Sequence, residues 1–74
     1  MKPDLTRKAI AANIEAMRQM LADAVILASE AFQAIQAGEQ NQAIGTMLDL
    51  DRDLEDALAL HRAAVALHRT RRAP

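Results

Sequence analysis

Gln36-Ala37-Gly38-Glu39-Gln40-Asn41, read with the apolar residues on either side, decides the fold of this chain. Glycine takes the left-handed conformation at little cost, so Gly38 reads as the residue just past a helix C-terminus. Asn41 is a candidate N-cap for a second helix, with Glu39 as an earlier alternative. Upstream, Ile10, Ile14, Met17, Leu21, Ala24, Ala28, Ala31 and Ile35 recur at alternating steps of four and three. Downstream, Ala43, Met47, Leu50, Leu54, Ala57, His61, Ala64 and His68 keep the same rhythm. That spacing places each set on one face of a helix. The expectation is one all-α domain over residues 1–74. It comprises a helix over about 4–37, a turn over about 38–40 and a helix over about 41–71.

Features at the ends agree. Pro3 suits a first helical turn, where its missing N–H costs nothing, and Asp4 or Thr6 can accept from the unpaired N–H groups there. Arg69, Arg71 and Arg72 favour the negative end of the second helix dipole, and Ala73-Pro74 should fray. Gly45 weakens the start of the second helix by about 1 kcal/mol relative to Ala.

A short turn makes the two helices antiparallel. Folding at Gly38-Glu39 sets Ala31 against Met47, Ala28 against Leu50, Ala24 against Leu54, Leu21 against Ala57 and Ile14 against Ala64. Small residues oppose large ones layer after layer, as interdigitating side chains require. Apolar surface is left over: Met20, Val25, Leu27, Phe32 and Ala34 flank the first seam, and Ile44, Leu48, Leu58 and Val65 the second. A hairpin of this size is marginal alone, so association into a homodimeric four-helix bundle is expected. Its core would draw on Ile10, Ile14, Met17, Leu21, Ala24, Ala28, Leu50, Leu54, Leu58 and Val65. Leu60 and Leu67 are expected to point away from the hairpin seam and, with Ile26, to form a candidate partner surface.

Charge is split along the rod. The terminal end holds Lys2, Arg7, Lys8, Arg18, Arg62, Arg69, Arg71 and Arg72 against Asp4 and Glu15, a balance of +6. The loop end holds Asp23, Glu30, Glu39, Asp49, Asp51, Asp53, Glu55 and Asp56 against Arg52, a balance of −7. Two hairpins lying head-to-tail would match basic end to acidic end, so the expected dimer is antiparallel.

Composition removes several functions. With 51% hydrophobic and 26% charged residues, the chain is neither disordered nor fibrous. It has no Cys, which excludes disulfide frameworks, thiolate metal sites and cysteine nucleophiles. It has no Trp or Tyr and only Phe32, so the stacking platform of a single-strand binder is missing. The apolar run from Ala57 to Leu67 is interrupted by His61-Arg62 and falls short of the roughly 20 residues a bilayer needs. No apolar block of a signal peptide follows the charged N-terminus, and a cytoplasmic setting is the default.

His61 and His68 stand seven residues apart, about 10 Å along a helix, whereas chelating pairs use three or four residues. The residues three before them are Leu58 and Val65, so the Glu-x-x-His of di-metal bundles is absent. They are expected as hydrogen-bonded core or boundary histidines beside Asn13; metal binding, pH sensing and a ligand pocket are the alternatives. If the rings are buried and neutral, acidification through about pH 6 should loosen the bundle. The run Asp49 to Asp56 superficially resembles a calcium loop, but Leu54 and Leu60 stand where Gly and Glu are needed, so it reads as a solvated acidic face. Arg62, Arg69, Arg71 and Arg72 are candidate phosphate contacts. No residues form a catalytic set, and no cofactor or metal is expected.

In its whole-chain pattern of two seams, small-against-large layers and a short turn, the sequence resembles the small plasmid-encoded RNA-binding hairpin that dimerises into an antiparallel four-helix bundle. No sequence motif is shared, so that protein's RNA-binding residues map to no position here. The turn Gly38-Glu39-Gln40-Asn41-Gln42-Ala43-Ile44 is similar to the helix–helix turn of a tetratricopeptide repeat, over seven residues and without a second copy. The expected function is a non-catalytic protein–protein interaction module, a small adaptor or regulator. The alternatives are a nucleic-acid (RNA) binding modulator using the basic ends, and a subunit whose leftover apolar face belongs to a different protein.

Overall fold

The computed structural model describes residues 3–71, with side chains over 4–70. Two antiparallel helices, α1 (Pro3–Gln36) and α2 (Gln40–Arg71), form an all-α hairpin. The rod measures 57 × 16 × 12 Å between its outermost Cα atoms. No helix among the described residues is long and apolar enough to cross a membrane.

The turn is built by hydrogen bonding around Gly38, whose φ is 81°. The Glu39 N–H donates to the Ala34 carbonyl at 2.9 Å, and the Gly38 N–H donates to the Ile35 carbonyl at 3.1 Å. These are the six-to-one and five-to-two bonds of a Schellman motif, which satisfy carbonyls that the last turn of α1 would otherwise leave unpaired. The Glu39 carbonyl then accepts from the Ala43 N–H at 3.0 Å, the first bond of α2. Glu39 is therefore the N-cap residue, and Asn41 lies inside the first turn. At the other end α1 begins at Pro3, so Thr6 is within the helix, buried to 2% exposure.

The contact between the helices is made mostly of alanine. Ala24, Ala31 and Ala34 of α1 and Ala43, Ala57 and Ala64 of α2 are buried, together with Leu50. Half of the expected seam packs in this way. Its other row, Ile14, Leu21, Ala28 and Ile35 in α1 and Met47, Leu54, His61 and His68 in α2, is exposed. The second contact row is instead the residue before each of these. Asn13, Met20 and Leu27 are half-buried and Ala34 buried in α1; Thr46, Asp53, Leu60 and Leu67 are half-buried in α2. One row of each seam is kept and the other is exchanged for a row 100° away, so both helices are turned by about 50° relative to a seam that buries its bulky residues in the hairpin. The reason is steric: alanine faces let two backbones close together, and the large side chains are displaced to one side.

Two glycines give opposite expectations at fixed protein concentration. Gly38→Ala forces a side chain into a left-handed position and should lower unfolding free energy by about 1 kcal/mol. Gly45 is helical, and a Cβ there meets no atom within 4 Å. Gly45→Ala should raise stability by about 1 kcal/mol, and urea melts of the two variants against the parent check both signs.

Candidate functional site

The displaced row creates a face. Together with the next row outward, it brings Ile14, Leu21, Val25, Phe32 and Ile35 of α1 beside Ile44, Met47, Leu54 and Leu58 of α2. Twelve large apolar side chains are exposed among the described residues, and these nine share one side of the rod. Two open grooves run between the helices on that side. Near the termini, a groove of about 390 Å³ is lined by Ile10, Ile14, Met17, His61, Ala64, Val65 and His68. Near the turn, one of about 310 Å³ is lined by Ala28, Ala31, Phe32, Ile35, Ala43, Ile44 and Met47. Because both grooves are lined from α1 and α2 together, the two exposed rows flank a single trough along the hairpin.

The expected core residues divide by depth. Ala24 and Leu50 are buried; Ile10, Met17 and Val65 are half-buried; Ile14, Leu21, Ala28, Leu54 and Leu58 are exposed on the apolar face. Leu60 and Leu67 differ from expectation: they are half-buried in the second contact row between the helices, not on an outward surface. The helix rotation that exposes Leu54 and His61 is what turns them inward. Ile26 is exposed at 57% on the side away from the apolar face.

The expected buried polar cluster is not formed. His61 and His68 are exposed, lining the terminal groove, while Asn13 is half-buried in the contact row. The acid sensitivity expected of buried imidazoles therefore does not follow for the hairpin itself. Arg62 and Arg69 are exposed along α2, on a shallow concavity shared with Leu58, His61 and Val65. Arg72 and the Arg71 guanidinium lie outside the described side chains, as do Lys2 and the expected fraying of Ala73-Pro74. Among the described residues no group of three or more His, Cys, Asp or Glu is placed to hold a metal ion.

Val25, Phe32 and Ile44 were assigned by the sequence pattern to the flanks; here they widen the exposed face. The signal was their position one residue beyond the seam on the same side in both helices. Polar groups in the contact row are a second departure. Thr46 satisfies its hydroxyl by donating to the Gln42 carbonyl at 3.1 Å, and Asp53 is half-buried, in a recess with Leu27 and Leu48.

On the edge of the rod, Arg18 donates from Nη2 to Glu15 Oε1 at 2.7 Å and from Nε to Oε2 at 3.0 Å. The Arg18 guanidinium, and then the Gln19 amide, hold the Glu15 carboxyl below its ordinary range. A depressed carboxyl stabilises the fold above its unfolded value and loses that contribution as pH falls through the folded one. Both groups are exposed and the effect is small at neutral pH.

No protein-family model matches the chain. No curated protein and no solved structure matches it.

Two measurements test this geometry. Asp53→Leu replaces a half-buried carboxylate by an apolar group opposite Leu27 and should raise the melting temperature by several degrees, about 1 kcal/mol. Glu15→Gln should leave the neutral-pH melt nearly unchanged and flatten its decline in the acid range below the ordinary carboxylate value.

Proposed function

We propose that the chain is a non-catalytic interaction module, a small cytoplasmic adaptor or regulator, that works as a homodimeric four-helix bundle. The observation that carries this reading is the gathering of nine exposed large apolar side chains on one side of a rod whose own core is largely alanine. Alanine burial contributes little hydrophobic free energy, and a two-helix hairpin of this length gains too little to stand alone. A second layer of helices over the trough supplies the missing core.

A second copy fits that layer in size. The broad side of the rod, 57 by 16 Å between Cα atoms, projects about 900 Å². Two such faces closing on each other bury about 1,800 Å², within the range of stable specific interfaces. The rest of the surface stays available to other proteins, and Ile26 and Leu48, exposed at 57% and 65% outside the self-association face, offer apolar footholds there.

The test is a pair of matched substitutions. Leu21→Glu puts a carboxylate in the middle of the apolar face and should shift the protein to monomer in sedimentation velocity, with loss of helix content at micromolar concentration. Ile26→Glu, an equal change on the other side, should leave mass and helicity unchanged. Dimer in both variants, or monomer in the parent chain, would contradict the proposal.

A further inference from the structure

Resting on the self-association reading, we propose that the two copies pack head-to-tail, α1 against α1 and α2 against α2, about a twofold axis through the level of Leu21, Ala57 and Leu58.

The register follows from the seam. Along α1 the terminal half is bulky, with Ile10, Ile14, Met17 and Leu21, and the half near the turn is small, with exposed Ala28 over buried Ala24 and Ala31. Reversing a second copy about Leu21 sets Ile14 level with Ala28 and Leu21 with itself, and brings Ile10 and Met17 within one residue of Ala31 and Ala24. On α2 the same operation sets Leu54 and Met47 within one residue of His61 and His68, over the buried layer of Leu50, Ala57 and Ala64. One axis thus serves both helices: the bulky residues of α1 meet alanines or the symmetric Leu21, and Leu54 and Met47 of α2 meet imidazoles. Sliding by a heptad in either direction leaves end layers uncovered.

Size matching alone also permits the other twofold arrangement, with both turns at one end, because the layers from Ile14 and Ala64 to Ala31 and Met47 mostly hold one large and one small residue already. Charge separates the two. Among the described side chains, the terminal half has Arg7, Lys8, Arg18, Arg62 and Arg69 against Asp4 and Glu15, a balance of +3. The turn half carries −7, from eight carboxylates against Arg52. Turn-to-turn packing superimposes like ends, whereas head-to-tail packing sets a basic end on an acidic one at both ends and brings exposed Arg62 within a turn of exposed Glu55 on the other copy, twice. The histidines agree. Turn-to-turn packing puts both His61 rings in one layer and both His68 rings in another, while head-to-tail packing distributes the four over four layers, against Leu54 and Met47.

Leu58 decides the matter experimentally. It is exposed at 45% on the edge of the trough and lies at the axis, so its two copies become neighbours only in the head-to-tail form. In the turn-to-turn form they sit on opposite edges of the bundle, and Leu58 neighbours Arg18 of the other copy instead. Under mild oxidation Leu58→Cys should form a disulfide-linked dimer about ten-fold faster or more than Ile26→Cys on the opposite side. A mixture of Arg18→Cys and Leu58→Cys chains should give mainly the Leu58→Cys homodimer. Sedimentation of each reduced variant is run alongside. A reduced dimer that cross-links only in the mixed pair overturns the head-to-tail register, whereas monomers throughout overturn the self-association reading beneath it.

Discussion

Alanine meeting alanine between two antiparallel helices is the contact on which the rest of this molecule depends. Ala24, Ala31 and Ala34 of α1 and Ala43, Ala57 and Ala64 of α2 occupy the seam, with Leu50 the one large side chain among the buried hydrophobic residues described. Methyl groups let the helices approach closely, and close approach leaves no room between them for Ile14, Leu21, Leu54 or Leu58. Those side chains emerge together on one side. A choice made for packing within the hairpin thereby produces a surface for packing outside it.

On the proposed assembly, folding and association are one process. Burying small residues removes little apolar area from water, while each of the roughly seventy residues loses backbone freedom on ordering. The Schellman turn at Gly38 fixes the direction of the return without adding much burial. In the bundle proposed above, each copy completes the other's core, so the stability of one chain depends on the concentration of both. The separation of charge along the rod adds little to affinity, but it makes one relative orientation much less repulsive than the other.

Much of the fold was legible in the residues. The break at Gly38 and the four-three spacing on either side dictate two helices and a tight turn, because a left-handed glycine and a 3.6-residue period have few other readings. The alanine row was legible too, since Ala24, Ala31, Ala43, Ala57 and Ala64 fall on the seam. What periodicity does not encode is which neighbouring row turns inward. Leu60 and Leu67 against Leu54 and His61 is a choice between adjacent stripes 100° apart, made by how closely the alanine faces approach. The site inherited that ambiguity. Leu60 and Leu67 moved from the outer surface to the contact row, and His61 and His68 moved from the interior to an exposed groove. The N-cap at Glu39 in place of Asn41 has a similar origin: the Schellman bond pulls Glu39 into position before a better capping side chain is reached.

Sedimentation equilibrium of the unaltered chain, over a wide concentration range and at low and high salt, tests the central claim most directly. The account predicts a single species of twice the chain mass that dissociates only on dilution and persists in high salt, because apolar burial holds it and charge only orients it. A stable helical monomer at every concentration would contradict it, since the alanine seam would then suffice alone and the apolar face would need no second copy.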